Sequence, residues 1–241
     1  MRVAVVTGAA GDIGSATARA FAQAGHALVL LDRDLALLPS GAEGLVLSCD
    51  LADPDAVAAA FAGIAAHFPR IDVLANIAGI NHRSPVAEME MDDWDRMMDV
   101  NVGGMFLTCK HAIPQMTGGG AAIVNMASIS GHVASPEYPA YVATKAAVES
   151  FTWALAGEVG PLGIRANAVA PGWVAAGFTR AALDNAKDPA ALQTKAKSAH
   201  LLGRMARPDE VASAIVWLAS SKASFVTGET LFVDGGLMRV H

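Results

Sequence analysis

At 241 residues the chain has the length of one α/β domain with room for a large core. Its formal net charge of −6, with no block of Lys or Arg, argues against a nucleic-acid partner. Hydrophobic residues make up 53% and mean hydropathy is +0.38; much of this is alanine, and the longest apolar run is too short for a membrane span.

The first predicted element is a strand over residues 2–7, apolar and β-branched up to Thr7. It starts within two residues of the N-terminus, which leaves no room for a signal peptide, so a cytoplasmic location is expected. Gly8-Ala9-Ala10-Gly11-Asp12-Ile13-Gly14 follows, then a helix over 13–24 that ends at Gly25. Strand, glycine turn and helix in this order suit a pyrophosphate. Amide groups and the positive helix end face the anion, and glycines let the backbone come close. A second strand over 27–31 leads to Asp32, 18 positions after Gly14 and near the ~20 expected of a ribose-binding acid. A carboxylate there accepts from the 2′- and 3′-hydroxyls and repels a 2′-phosphate. NAD(H) is therefore favoured over NADP(H); Arg33 next door is the counter-argument, since a guanidinium pairs with phosphate.

Further strands are predicted over 44–48, 71–76, 121–127, 164–169 and 230–234, with helices over 54–67, 92–116, 139–160 and 208–220. Strands and helices alternate. This predicts a single-domain α/β fold of Rossmann type, a doubly wound parallel sheet of about seven strands with helices on both faces. Gly118-Gly119-Gly120 closes the long helix, and Pro208-Asp209-Glu210 opens the last one. Cys49 and Cys109 lack metal-ligand spacing and read as reduced, buried thiols. The seven histidines form no His-x-x-x-His pair, so no metal is expected. The stretch 173–207 breaks the alternation beyond the carboxyl edge of the sheet, where insertions are usually functional or mobile.

Tyr141 and Lys145 stand four apart on one helix face, with Ser128 upstream at the end of an apolar run. An ammonium one turn from a phenol favours the phenolate and fits Tyr141 for proton exchange with an alcohol. The pair by itself fits equally well a surface lysine beside a half-buried tyrosine.

Taken with the glycine turn, these residues resemble a classical short-chain dehydrogenase/reductase along nearly the whole chain. The family's Thr-Gly-x-x-x-Gly-x-Gly falls on Thr7, Gly8 and Gly14, with Asp12 in place of the middle glycine. The resemblance implies that Gly8, Asp12, Ile13 and Gly14 hold the pyrophosphate, and that Asp50 and Leu51 flank the adenine. Asn76, Ala78 and Gly79 match the family's Asn-Asn-Ala-Gly, with Ile77 replacing its second Asn. Asn101 completes a tetrad with Ser128, Tyr141 and Lys145, and Ser128 lies the usual 13 positions before Tyr141. Pro171, Gly172 and Val174 belong to the segment that packs on the nicotinamide. Ala176 stands where the family often has a carboxamide-binding Thr, and Thr179 is a substitute. Thr227-Gly228 and Val233-Asp234-Gly235-Gly236 match the last strand.

In the implied mechanism Tyr141 is the acid and base. Lys145 lowers its pKa and binds the nicotinamide ribose, Ser128 holds the substrate oxygen, and Asn101 binds a water that links Lys145 to solvent. Residues 173–207 would be the substrate lid. Family members pair the helices at 92–116 and 139–160 across subunits, so a homotetramer is expected, with a dimer as the alternative; Ala140, Ala143 and Ala147 would allow close approach. Candidate substrate contacts are Asn81, Arg83, Ser128, His132, Tyr138 and Trp173, with Phe178 an apolar wall. The expected activity is NAD(H)-dependent interconversion of a secondary alcohol (a polyol, hydroxy acid or similar) and its ketone. The alternatives are an NADPH-dependent 3-oxoacyl-carrier-protein reductase, which the stretch Leu202-Gly203-Arg204 resembles, and a non-catalytic nucleotide-binding protein on the same fold.

Overall fold

The computed structural model describes residues 1–38, 44–133 and 135–239. Seven strands pair in parallel: β1 (Val3–Thr7), β2 (Ala27–Asp32), β3 (Leu45–Ser48), β4 (Val73–Asn76), β5 (Ala121–Met126), β6 (Ile164–Pro171) and β7 (Thr230–Val233). Their order across the sheet is β3-β2-β1-β4-β5-β6-β7. The chain therefore leaves β1 toward one edge and returns beside β1 with β4. That reversal opens a crevice at the carboxyl ends of β1 and β4, where α/β folds bind ligands.

The pleat explains why these strands read as continuous apolar runs. Val3 and Val5 point to one face with Val29, Leu31, Leu74 and Ile123. Ala4 and Val6 point to the other with Leu28, Leu30, Val73 and Ala75. Both faces are covered, so neither set can be polar. On the first face lie α2 (Pro54–His67), the helical segment that follows β4, and a long helix (Pro139–Val159) carrying Val148 and Leu155. On the second lie α1 (Asp12–Gln23), through Phe21, and the last helix (Pro208–Ala219), through Val211, Ile215 and Leu218. Both cysteines are free and buried. Burial pushes the Cys49 thiol up to about 11, with Asp50 and Asp53 adding to it, and the Cys109 thiol up to about 12.

The predicted helix over 92–116 is corrected. It is α3 (Met91–Met98), a wide π-type turn (Asp99–Gly103), α4 (Gly104–Ala112) and a tight 3₁₀ turn (Ile113–Gln115). Pro114 lacks an N–H and ends the α-helical ladder. The wide turn holds Asn101, in keeping with the tendency of π turns to sit at functional positions. The long helix that follows, α5 (Pro139–Val159), is unbroken. The stretch 173–207 contains α6 (Gly177–Asp184) and α7 (Pro189–Ser198), and Pro208 opens α8 (Pro208–Ala219). Among the described residues, no helix is long and apolar enough to cross a membrane.

Candidate active site

The crevice is built first by glycines. Gly8 has φ +64°, and a Cβ on it would meet the Ala78 backbone at 2.7 Å. A Cβ on Gly14 would stand 1.9 Å from the Gly8 carbonyl oxygen. The turn is thus folded tightly on itself at the start of α1. Thr7 ties it to the next strand: its hydroxyl oxygen accepts from the amides of Ile77 and Ala78 at 3.0 and 3.1 Å. Asp32 braces it from the other side, where one carboxylate oxygen accepts from the Ala10 amide at 2.9 Å. The carboxylate expected at a ribose therefore lies beside the glycine turn.

Asp50 follows β3 and is held by the Ala52 amide and by Arg96 at 2.9 Å. Burial raises its pKa, but the Ala52 N–H, Arg96 and Arg33 outweigh that and leave its carboxyl below the usual range. Leu51 is buried against Gly104, whose added Cβ would meet Leu51 Cβ at 2.7 Å. Asn76 ends β4. Its side chain is turned into the core, where it donates to Asn125 (2.9 Å) and accepts from Thr108 (2.8 Å). Asn125 in turn donates to Thr152 on α5 (2.9 Å). The Asn76 amide braces the sheet from below, because a buried amide must satisfy its hydrogen bonds.

Asp12, the departure in the glycine motif, points away from the turn. Its carboxylate accepts from the Gly177 amide at 2.8 Å and pairs with Arg180, both in α6. The far end of the 173–207 stretch is anchored too. His200, buried, donates through Nδ1 to Ala196 O (2.8 Å), which leaves Nε2 to accept from the Trp173 amide (3.2 Å). Gly172 lies close enough that a Cβ there would meet this Nε2 at 2.7 Å. Val174 bridges Ala206, and Arg204 grips Glu210 at the start of α8 with two contacts of 2.8 and 2.7 Å.

The four expected catalytic residues converge. Lys145 is buried, and its Nζ lies 5.5 Å from the Tyr141 ring centre and donates to Met126 O at 2.7 Å. Ser128 Oγ accepts from the Ser130 amide at 3.1 Å, a contact that does not use its own proton, and its hydroxyl lies in hydrogen-bonding reach of Tyr141. Asn101 clamps the turn after β4 to α5. Its Oδ1 accepts from the Ile80 amide (2.8 Å), while Nδ2 donates to Ile80 O (3.0 Å) and Thr144 Oγ1 (3.1 Å). Gly79 sits between the two groups: a Cβ there would be 3.2 Å from Asn101 Oδ1 and 3.6 Å from Lys145 Nζ. Burial pushes the Tyr141 phenol up to about 12; the Ser128 hydroxyl opposes this and Tyr138 adds to it. Burial also brings Lys145 down to about 8. The phenol is thus raised by desolvation, where a lowering by Lys145 was expected.

Phe178 of α6 meets the Tyr141 ring edge to face at 6.3 Å, and Tyr138 lies 6.5 Å on another side. Arg83 pairs with Glu137 and lies 5.5 Å over the Tyr138 ring. The Ser84 amide donates to Glu137 O at 2.9 Å, which helps hold Glu137 at φ 67°. Asn81 is exposed on the same loop. His132 is held by partners within the fold. Its Nε2 contacts the buried Glu149 carboxylate at 2.8 Å, and its ring packs on Phe232 at 4.9 Å. It braces β7 against α5. Among the described residues, no group of three His, Cys, Asp or Glu could hold a metal.

The family model described as enoyl-(acyl carrier protein) reductase matches residues 8–238. The chain is a classical short-chain dehydrogenase/reductase. Over 99% of its length it is 41% identical to the cis-4-hydroxycyclohexanecarboxylate dehydrogenase of Sinomonas cyclohexanicum, covering 97% of that protein. It is 38% identical to the D-threitol dehydrogenase of Mycolicibacterium smegmatis, over 98% of this chain and 92% of that one. The ligand-free aldohexose dehydrogenase of Thermoplasma acidophilum has the same fold, with a TM-score of 0.94 at 34% identity, covering 100% of this chain and 95% of that one. This short-chain dehydrogenase/reductase is an oxidoreductase acting on CH–OH groups, and its family implies a nicotinamide cofactor.

Three working parts of this short-chain dehydrogenase/reductase escape a reading of the sequence. Thr144 carries no sign that it meets Asn101. His200 is an isolated histidine, and only its buried hydrogen bonds show that it ties Ala196 to Trp173. Arg180 is 168 residues from its partner Asp12.

Proposed function

We propose that this enzyme interconverts a secondary alcohol of the polyol or hydroxy-acid type and its ketone, using NAD(H). The carrying observation is the convergence of Ser128, Tyr141 and Lys145 beside Gly79, on a fold whose glycine turn is braced by Asp32. The cradle suits a dinucleotide, because glycines at 8 and 14 let the turn fold tightly against Ala78 and onto itself, which presents the start of α1 to the crevice. Gly8, Ile13 and Gly14 would hold the pyrophosphate, Asp32 the adenosine ribose, Asp50 and Leu51 the adenine, and Lys145 the second ribose. Backbone from 76–79 and from 171–174 would line the nicotinamide. The cofactor supplies or accepts a hydride when bound.

The protein's own part is proton transfer and orientation. Ser128 donates to the substrate oxygen through the proton that its Ser130 contact leaves free. Tyr141 gives its proton to that oxygen in reduction and takes one in oxidation. Lys145, charged below about 8, favours the phenolate. Asn101 holds the turn at Gly79 in register with α5. Phe178 shields the phenol from water. Because Glu137 already matches the charge of Arg83, the rim has no spare guanidinium for a substrate carboxylate, which favours a polyol over a hydroxy acid.

Asp32 gives the first test. Calorimetric titration is expected to show tighter binding of NADH than of NADPH. Asp32→Asn keeps an acceptor for Ala10 but removes the charge. It should weaken NADH by about tenfold, a single charge-assisted pair's worth, and strengthen NADPH. An unmodified enzyme that prefers NADPH would refute the assignment of Asp32 and favour the acyl-carrier reductase. Nucleotide binding without turnover over a broad panel of alcohols would favour the non-catalytic alternative.

A further inference from the structure

The glycine turn of this chain contains one carboxylate where the family pattern has a hydrogen. An anion there opposes a diphosphate, yet every other part of the turn is built for one. The structure shows what answers it. Asp12 is one-third exposed and reaches across to the lid, where it caps the first amide of α6 and pairs with Arg180 on the next turn of that helix. Two positive features, the α6 N-terminus and a guanidinium, are thereby brought to the phosphate turn. The contact joins residues 165 and 168 positions apart, and it links the floor of the crevice to the element that bears Phe178 over Tyr141.

We propose that Arg180 is an affinity-determining residue for the dinucleotide, acting through Asp12. It neutralises the carboxylate of the phosphate turn and fastens the lid helix to that turn, so that nucleotide binding and lid closure stabilise each other. This rests on the nucleotide reading above. An exposed ion pair adds little to fold stability. Its weight lies in what a lone Asp12 would do beside a diphosphate. By linkage, anything that strengthens binding in the closed lid must close the lid on binding to the same degree.

The test is a double-mutant cycle read by calorimetry with NADH, together with amide exchange over 177–184. Arg180→Ala should weaken NADH by about tenfold, equivalent to ~1.4 kcal/mol. In the Asp12→Gly background the same substitution should cost less than about twofold, because no carboxylate remains to be neutralised. NADH should slow exchange over 177–184 in the wild type, and much less in Arg180→Ala. Wild-type affinity in Arg180→Ala would overturn the proposal. So would a loss that persists in the Asp12→Gly background, since Arg180 would then act on the nucleotide itself. Wild-type protein that binds neither NADH nor NADPH would refute the nucleotide reading, and the proposal with it; wild-type binding with no cycle coupling refutes the proposal alone.

Discussion

Tyr141→Phe is expected to lower kcat by at least ~100-fold, within the range by which a positioned acid–base group accelerates proton transfer. The substitution removes one oxygen and leaves the ring. Contacts with Phe178, Tyr138 and Lys145 are carried by that ring, so the fold and the affinity for NADH should change little. Steady-state turnover with a responsive alcohol, beside a calorimetric titration of the same variant, separates the two effects. Near-normal turnover would remove Tyr141 from the mechanism. The pH dependence follows from the same group. With the phenol pushed up to about 12, its proton is in place at neutral pH. Reduction should therefore be efficient at pH 7. Oxidation needs the phenolate and should climb by up to about tenfold per pH unit above 7. The climb should flatten above about pH 8, where Lys145 gives up the charge that favours the phenolate. An oxidation rate flat from pH 6 to 9 would contradict this assignment.

Gly14→Ala is expected to be the most damaging glycine-to-alanine change among the described residues. The added carbon would sit 1.9 Å from the Gly8 oxygen, 2.7 Å from the Gly8 carbonyl carbon and 3.0 Å from Ala9 Cα. All three are backbone atoms, with no side chain to swing aside, so the turn itself must move. Overpacking of this kind costs about 1–3 kcal/mol. For a chain of this size that lowers Tm by roughly 2–4 °C per kcal/mol. The displaced turn should also lose NADH affinity by at least about tenfold. Gly11→Ala is the control: its added carbon would meet nothing nearer than the Gly8 oxygen at 3.4 Å, an ordinary contact. Thermal unfolding with and without NADH compares the two. A Gly14→Ala protein with wild-type Tm and wild-type stabilisation by NADH would show that the turn is looser than its geometry.

The sheet was legible because burial on both faces leaves a plain mark. All seven predicted strands lie within two residues of those observed, since each is a short apolar run ended by a turn. The site was legible where chemistry demands a residue type at a fixed place, as with Gly8, Gly14, Ser128, Tyr141 and Lys145. What was not legible is direction. Nothing local says that Asn76 turns down to Thr108 and Asn125, or that His132 seeks the buried Glu149. Both depend on partners brought by other strands and helices. Asp12 is the sharpest case: its spacing places it in the phosphate turn, and its side chain reaches Gly177 and Arg180 of α6. Periodicity also failed at 92–116, because one wide turn hardly disturbs an apolar pattern.

That wide turn sets a limit on engineering. At ~100° per residue, the eight steps from Met97 to Met105 would set the two side chains about 80° apart on a regular helix. The extra residue taken up between Asp99 and Gly103 returns them to within ~20°, and both are buried, at 0% and 5% exposed. Deleting one residue here would give a better-bonded helix and preserve the apolar stripe. It would also withdraw Asn101 from Ile80 and Thr144. Thermostabilisation that regularises secondary structure would thus exchange activity for robustness at this single turn. A stabilised descendant of this enzyme should be sought in its surface and its caps, with residues 99–103 left alone.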